Sequence, residues 1–348
     1  ELIGQFGVGF YAAFMVADKV RVVSKKRGSD AAFMWESDMS ANYTISDSTR
    51  DDYGTSVMLH LRDEHLEYLD RWRVADLVKK YSDFISVPIY FAQIDIPSDE
   101  KDEDKKRREE DEARALNTMV ALWKRAKKDV KDEEYVEFYK HLTHDWDEPF
   151  ETIPFSGEGQ VEFKALLFIP KKATMELYMP NQKRGLSLYV RNVFIGDDIE
   201  MLLPDYLRFA KGVVDSSDLP LNVSREMLQD DGVIRKIKSA VTSKILSTLE
   251  DLKKKAALAK DGETPAWRTF WDSFGAVLKE CVHTDRDNAE RIKKLLMYPS
   301  AKSTDGKLIT LEEYVKDMAP GQDAIYFLCA PKVEAARVSP QIEQALKH

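Results

Sequence analysis

The apolar and polar positions of residues 1–96 predict a strand-rich α/β region. Residues 10–16 are apolar on nearly every side of a helix, which predicts a buried helical stretch. Alternating and β-branched runs predict strands at 19–24, 32–35 and 55–61, followed by a helix over 66–84 and a short strand at 87–91. This order of elements is typical of the end of an α/β sandwich.

A run of charged residues separates this region from the rest of the chain. Residues 98–114 alternate Asp, Glu, Lys and Arg without a large apolar side chain, so burial cannot offset the entropy of ordering them. The run is either a solvated linker or an exposed helix supported by i,i+4 pairs such as Glu103 with Arg107. Both interpretations predict two domains, 1–96 and 117–348, with a charged linker over 97–116.

The second domain is predicted to combine long strands with two long helices. Strands are expected at 161–169 and 186–195, and a helix at 203–213. Two apolar stripes at three- and four-residue spacing predict the long helices, with a break at Gly262 and Pro265 between them. The stripes are Ile234, Ile237, Val241, Ile245, Leu249 and Leu252, and then Trp267, Phe270, Phe274, Val277 and Cys281.

The last part of the chain predicts a compact α/β/α piece. A helix is expected at 292–297, a second helix begins at a capping box of Thr310 and Glu313, and a strand covers 324–329. Ser339 and Pro340 begin the final helix. The second domain therefore divides into a large α/β part at 117–230, a helical coil at 231–285 and a small α/β/α part at 286–348.

Composition and charge narrow the classes of function. The chain has 348 residues and a formal net charge of -9, which argues against a general binder of nucleic acid or of anionic membranes. No apolar run approaches the roughly 20 residues that cross a bilayer, and the first residues lack a signal-peptide pattern. Cys281 and Cys329 form neither a disulfide framework nor a zinc pattern, which is typical of a reducing compartment.

The sequence contains only weak candidates for a metal site or a catalytic nucleophile. His141 and His144 have no third ligand nearby in sequence, so an ordinary surface pair is the better interpretation. Cys281 lacks a partner base in sequence and is expected to be a core thiol. We therefore expect no metal site.

The strongest candidate chemistry lies in a glycine-rich turn. The run GQFGVGF at residues 4–10 allows consecutive backbone N–H groups to turn inward, and the helix that follows directs its positive end to the same place. A phosphate group suits such a turn, although glycine clusters also form ordinary turns. Thr55, which follows Gly54 at the start of a strand, either directs its hydroxyl to a bound base or is a plain β-branched strand residue.

A second candidate is Arg225. Ser224 is a plausible helix N-cap, which puts Arg225 in the first helical turn, where the helix dipole disfavours a cation. An anion should compensate, either a carboxylate or a phosphate reached across a domain boundary. Gln229 would share the same helix face. The nearby carboxylates are Asp215, Asp218 and Glu226.

Several apolar residues lie in stretches typical of loops or sheet edges. They are Trp123 and the cluster Met175, Leu177, Tyr178 and Met179. Ordinary packing is the default interpretation. A surface for unfolded segments is the alternative, because methionine and aromatic side chains adapt to many partners.

Taken together, these motifs resemble one family. IGQFGVGFY at residues 3–11, followed by VADKV at 16–20, resembles the last phosphate-contacting motif of the heat-shock protein 90 chaperones. The run GVVDSSDLPLNVSRE at 212–226 is similar to a motif of the family's middle segment, as are Leu122-Trp123, Glu134-Tyr135 with Phe138-Tyr139, and Leu228-Gln229. The resemblance covers almost the whole chain, and it is closest to the bacterial type, with organellar relatives as an alternative.

The resemblance implies an ATP-driven molecular chaperone. Residues 1–96 would be the C-terminal part of a GHKL-type ATP-binding domain, and 117–348 would be the middle domain. Arg225 would reach the γ-phosphate, with Gln229 and Asn222 supporting its loop. The residues implied to bind ATP are Gly4, Gln5, Gly7, Val8, Gly9 and Phe10 at the phosphates, Thr55 near the adenine, and Arg225.

The resemblance also implies a surface for client proteins. Trp123, Met175 and Tyr178 would contact unfolded or partly folded clients. Where the family has an aromatic residue after proline in this loop, the chain has Thr174 and Met175. That departure makes a client contact at this loop less secure.

Finally, the resemblance implies a fragment of a longer protein. The family's catalytic glutamate, magnesium-holding asparagine, adenine-binding aspartate and lid would precede residue 1, and its dimerisation domain would follow residue 348. The intact protein would be a homodimeric ATPase using ATP with Mg²⁺, whereas we expect the fragment to bind no cofactor, turn over no ATP and form no stable dimer. Clients and cochaperones are the implied partners, without nucleic acid or membrane, in the bacterial cytoplasm or else an organelle lumen or matrix.

Two other classes of function stay open. In the first, the chain is a non-catalytic module that binds clients and cochaperones, and the glycine run is only structural. In the second, it belongs to another GHKL ATPase, such as a histidine kinase or a type II topoisomerase. The sequence shows neither a phospho-acceptor histidine segment nor a basic DNA-binding surface.

Overall fold

A computed structural model of the chain has the mixed α/β content that the sequence predicts. It describes residues 9–38, 40, 42–92, 102–179, 185–219, 232–256, 258, 266–303 and 306–347. The chain divides into two compact units, Glu1–Val120 and Ala121–His348. Each unit is built around its own sheet.

The first unit contains a four-stranded antiparallel sheet in the order β3-β2-β1-β4. The three strands predicted from the sequence are confirmed, and β3 is an addition. β3 escaped prediction because its sequence TISDS is largely polar and almost wholly exposed. The strands are β1 (Ala17–Lys25), β2 (Ala32–Ser37), β3 (Thr44–Ser48) and β4 (Gly54–Leu61).

A short helical stretch precedes β1, but it is not buried as expected. A 3-10 helix, Gly9–Ala12, continues into α1 (Ala13–Val16), and neither contains a buried residue. One side packs on the sheet, because the rings of Phe10 and Phe14 lie 5.7 and 6.4 Å from the ring of Trp35. The prediction of burial was wrong because only this side meets packing partners in the described part of the chain.

The region after β4 also differs from its prediction. The expected helix over 66–84 is two pieces, a 3-10 helix Asp63–Leu69 and α2 (Arg71–Ser82), separated at Asp70. Asp70 caps α2 by accepting a hydrogen bond from the backbone N–H of Arg73. The strand expected at 87–91 is absent from this described stretch, because the N–H of Ile89 donates to the Asn117 side chain, at 2.8 Å, rather than to a neighbouring strand.

The charged run adopts the second of its two alternatives. Residues Asp102–Glu112 form helix α3, in which Arg108 pairs with Glu112 at 3.2 Å across one helical turn. Its described side chains are mostly exposed. The helix is thus stabilised by its own charge pairs and solvent contact rather than by an apolar face.

The second unit contains a five-stranded sheet in the order β5-β6-β9-β7-β8. β9 runs antiparallel to β6 and parallel to β7, and nearly all residues of these three strands are buried. The strand predicted at 161–169 is β6, and the one predicted at 186–195 is a hairpin that turns at Arg191 and Asn192, both with positive φ. The strands are β5 (Glu151–Gly157), β6 (Phe163–Ile169), β7 (Leu186–Val190), β8 (Val193–Ile199) and β9 (Lys211–Ser216).

The helix predicted at 203–213 was wrong. Two 3-10 helices, Glu200–Leu202 and Asp205–Leu207, lie on either side of Pro204, and β9 follows. Leu203, Tyr206 and Leu207 are buried, so their spacing imitates a helical stripe although they come from two separate turns. Proline, which cannot continue a helix, marks the break.

The two apolar stripes are confirmed as core-facing helices. α4 (Asp132–Thr143) packs near β9, and the stripes lie on α5 (Gly232–Ala256) and on α6 (Ala266–Leu278) with its 3-10 extension Lys279–His283. Every stripe residue is buried. Cys281 is a core thiol as expected, and burial raises its pKa to about 11.

The last part of the second unit keeps its helices but not its strand. The expected helices are α7 (Ala289–Leu295), α8 (Leu311–Lys316) with its capping box, and α10 (Pro340–Lys347), and α9 (Val333–Arg337) lies between the last two. The segment 324–329, where a strand was expected, forms no strand and pairs with no described strand. Its backbone bonds locally, since the N–H of Tyr326 donates to the hydroxyl of Tyr314. A short β10 (Tyr298–Pro299) pairs with β11 (Leu308–Ile309).

We expect Gly212→Ala to destabilise the second unit by about 2–4 kcal/mol. Gly212 lies in β9 at φ +143°, where a Cβ would stand 2.3 Å from the carbonyl oxygen of Leu166. The free energy of unfolding is measured by urea denaturation. Gly232→Ala is the control, because a Cβ there meets only the Arg235 side chain at 3.9 Å. Equal stability of the two variants would contradict the close approach of β9 to β6.

Candidate functional site

Thr55 lies on the apolar face of the first sheet. Its hydroxyl is 2.8 Å from that of Ser24, which is its partner across β1 and β4. Val22 lies two residues before Ser24 on β1, on the same face of the sheet, and pairs with both Trp35 and Val57. Thr55 therefore projects from the side of the sheet that also carries Trp35.

The start of the helical stretch lies on that same side. The ring of Phe10 packs edge-on against Trp35, and Phe10 is 37% exposed. Among the described residues, nothing lies within 4 Å of a Cβ built on Gly9. The structure thus places Phe10 and Thr55 on one side of the first sheet, with Gly9 next to Phe10 in the chain, while Gly4, Gln5, Gly7 and Val8 lie outside the described residues.

Arg62 ties the helical stretch to the end of β4, a role that sequence patterns did not reveal. Its side chain donates to the carbonyl of Phe14 at 3.0 Å, and its backbone N–H donates to the carbonyl of Val16 at 3.0 Å. The two bonds satisfy carbonyls at the end of α1. They hold the helical stretch against the C-terminal end of β4, the strand that has Thr55 near its start.

Trp123 is buried, contrary to the expectation of a client-facing side chain. It is only 5% exposed, and its ring lies 4.9 Å from that of Tyr189 and 5.8 Å from that of Phe138. Its Nε1 donates to the Asp215 carboxylate at 3.0 Å. A buried indole needs a partner for its N–H, and this bond explains why Trp123 packs inward in this conformation.

Asp215 is the centre of a polar cluster at the end of β9. Besides Trp123, its carboxylate accepts a hydrogen bond from the backbone N–H of Asn192 at 3.3 Å and pairs with Lys124 Nζ at 3.1 Å. The Asp215 side chain is 2% exposed. Lys124 and Asn192 are neighbours that the sequence did not identify, because they lie far from Asp215 along the chain.

This cluster bears on the predicted role of Arg225. Asp215 was one of the carboxylates expected to compensate that arginine, but three donors already surround it. Asp218 accepts a hydrogen bond from the backbone N–H of Glu162 at 2.7 Å. Arg225, Asn222 and Gln229 themselves lie outside the described residues.

The Met175–Tyr178 turn presents an exposed apolar surface. Met175 is 81% exposed, Tyr178 56% and Met179 50%, whereas Leu177 is buried in the core of the unit. The turn is a short 3-10 helix closed by the N–H of Leu177 on the carbonyl of Thr174. One inward leucine therefore anchors three outward side chains.

The described residues hold no group of three or more His, Cys, Asp or Glu side chains arranged to bind a metal ion. His141 lies in the last turn of α4, and His144 ends that helix in the left-handed conformation. Among the described helices, none combines the length and apolar character that crossing a bilayer requires.

We expect Trp123→Phe to destabilise the second unit by about 1–3 kcal/mol, because it leaves the buried Asp215 carboxylate without one donor. Trp146→Phe is the matched control, since Trp146 is 93% exposed and should change stability by less than about 0.5 kcal/mol. Chemical denaturation gives both values. If the two variants were equally stable, the buried position of Trp123 would be wrong.

Comparison with known proteins identifies relatives along the whole chain. Residues 93–348 match the family described as Hsp90 protein. The Chaperone protein HtpG of Geobacter sulfurreducens is 46% identical over 99% of this chain and 53% of its own length. Those of Nocardia farcinica and Shewanella amazonensis are 45% and 44% identical over 99% of this chain, which covers 52% and 53% of them.

The chain therefore spans about half the length of the curated relatives it matches. The family match covers most of the chain, including the whole second unit and the exposed turn at Met175–Tyr178. It includes the motif at 212–226, and the alignments with the HtpG relatives, which cover 99% of the chain, extend the similarity beyond its start at residue 93. On these grounds the chain belongs to the Hsp90 family of chaperones.

Proposed function

We propose that the whole protein is an ATP-dependent molecular chaperone and that this chain contributes part of its ATP site and its middle domain. The main support is the identity of 46% over 99% of the chain to a protein named for its chaperone function. The surface of exposed apolar side chains on the second unit adds a physical reason, since such side chains bind unfolded segments.

In this proposal the first unit forms one wall of the ATP site. The backbone N–H groups of Gly9 and Phe10, with Gly4, Gln5, Gly7 and Val8 before them, hold the phosphates. Thr55 stands near the adenine. The position of Phe10 against Trp35 and the hydroxyl pair of Thr55 with Ser24, on the same side of the sheet, are compatible with that ligand. ATP would supply the bond to be cleaved.

Arg225 is proposed to sense the γ-phosphate, with Gln229 and Asn222 supporting it. An arginine in the first turn of a helix favours a nearby anion. Asp215 and Asp218 are engaged by other donors, which leaves fewer carboxylates to play that part. Glu226 lies outside the described residues, and the proposed partner of Arg225 is a phosphate.

We expect Arg225→Ala in the full-length protein to lower kcat for ATP hydrolysis at least about tenfold, as for other arginines that reach a transferred phosphate. The affinity for a fluorescent ATP analogue should change much less, because the glycine run at residues 4–10 still holds the phosphates. Lys236→Ala, an exposed cation on α5, is the control. Residues 1–348 alone should show no turnover. Unchanged hydrolysis in Arg225→Ala would support a non-catalytic role for the second unit.

The second unit is proposed to bind clients through Met175 and Tyr178. Because Trp123 is buried, we propose that it stabilises the core of the unit and does not contact a client. Leu177, the inward neighbour, fixes where the exposed side chains project. Further partners in the proposal are cochaperones and a second copy of the full-length protein, in the bacterial cytoplasm.

We expect the double variant Met175→Ser with Tyr178→Ser to weaken binding of an unfolded polypeptide about tenfold or more, since each apolar side chain buried on binding contributes roughly 1.5–3 kcal/mol. Affinity is measured by fluorescence anisotropy with a reduced and carboxymethylated, permanently unfolded polypeptide. Leu258→Ser, which also removes an exposed apolar side chain, should bind normally. Equal affinities for both variants would place the client surface elsewhere.

A further inference from the structure

A buried arginine lies directly beneath the exposed turn. Arg208 follows the 3-10 helix Asp205–Leu207 and is 8% exposed. An arginine is seldom buried unless several acceptors surround its guanidinium. Its contacts therefore show what holds it there.

The guanidinium of Arg208 bonds to three separate segments. Nε donates to the carbonyl of Leu177 at 3.2 Å, and Nη1 donates to the carbonyl of Asp205 at 3.0 Å. Both terminal nitrogens donate to the carboxylate of Glu280, at 2.5 and 2.8 Å. The hydrogen bonds that Arg208 donates to the Glu280 carboxylate raise the pKa of Arg208 above its ordinary value, so the group stays charged.

Through one guanidinium, Arg208 connects the carbonyl of Leu177 in the turn to the carboxylate of Glu280. Leu177 buries its own side chain in the core and offers its carbonyl to Arg208, while Met175 and Tyr178 on either side face outward. Glu280 lies on the 3-10 extension of α6, so the bidentate pair connects the turn to the helical core. A lysine could not replace this pattern, because the four hydrogen bonds come from three nitrogens of a planar guanidinium, whereas an ammonium has three donors on a single nitrogen.

We propose that Arg208 is a positioning residue for the client-binding turn and that Glu280 orients it. The inference rests on the proposed client surface at Met175 and Tyr178. Arg208 holds the Leu177 carbonyl, which keeps the exposed side chains in one arrangement, so a client meets a preorganised surface and less ordering entropy is lost on binding.

The first test is Arg208→Lys, which keeps the positive charge and removes the planar guanidinium with its N–H donors on three nitrogens. Amide hydrogen exchange of residues 174–179 should become at least about tenfold faster while exchange in α5 stays unchanged, because only the local anchor is lost. The affinity for the reduced and carboxymethylated polypeptide should fall about three- to tenfold. Both are measured on the full chain under conditions where circular dichroism shows it folded.

The matched control is Arg268→Lys. Arg268 also makes a two-oxygen contact to one carboxylate, Asp272, and its other described hydrogen bond goes to the carbonyl of Gly306 rather than to the turn. It should change neither the amide exchange of residues 174–179 nor the affinity for the client.

If Arg208→Lys fails to fold, Glu280→Gln replaces it. The Glu280 side chain is 49% exposed and therefore tolerates substitution better, and Gln keeps only one acceptor oxygen. Glu280→Gln should give a smaller change in the same direction.

The outcomes separate this inference from the proposed function. Unchanged exchange of residues 174–179 in Arg208→Lys and Glu280→Gln would overturn the positioning role, whatever the client affinity. Faster exchange with normal client affinity would also overturn it, provided that the Met175 and Tyr178 double variant binds clients weakly. Normal binding by that double variant would instead overturn the client surface itself.

Discussion

The second unit depends on a buried carboxylate at the end of its central strand. Asp215 is almost fully enclosed, and an enclosed charge is costly unless donors surround it. Its donors come from the segment that begins the unit, through Trp123 and Lys124, and from the β7–β8 hairpin, through Asn192. Placing one charge in the core therefore fixes the positions of three segments that are distant in sequence.

The same strand leads into the segment that carries the proposed phosphate sensor. β9 pairs with β6 along its whole length and with β7 over residues 213–215, and Gly212 permits its close approach to Leu166. The pairing with its two neighbours and the donors around Asp215 hold β9 in the core of the second unit. Exposed apolar side chains, in contrast, lie on the Met175–Tyr178 turn, whose arrangement depends on Arg208.

Local patterns predicted those elements whose stability is local or strongly periodic. The stripes on α5 and α6 and the Thr310 capping box were found because each repeats at helical spacing or satisfies its own backbone. The helix predicted at 203–213 was wrong because buried residues from two turns imitate one helical face. At the candidate site, the glycine run, Thr55 and the exposed turn were recognisable, whereas Lys124, Asn192 and Arg208 were not.

By itself, the sequence determined the α/β class, the main helices and strands, and membership of the Hsp90 family, since periodicity and motifs are properties of neighbouring residues. Only the tertiary structure decided that Trp123 faces inward while Met175 faces outward. The reason is physical: an indole N–H turns inward when a buried acceptor exists, and that acceptor, Asp215, is supplied by a strand 92 residues away in sequence.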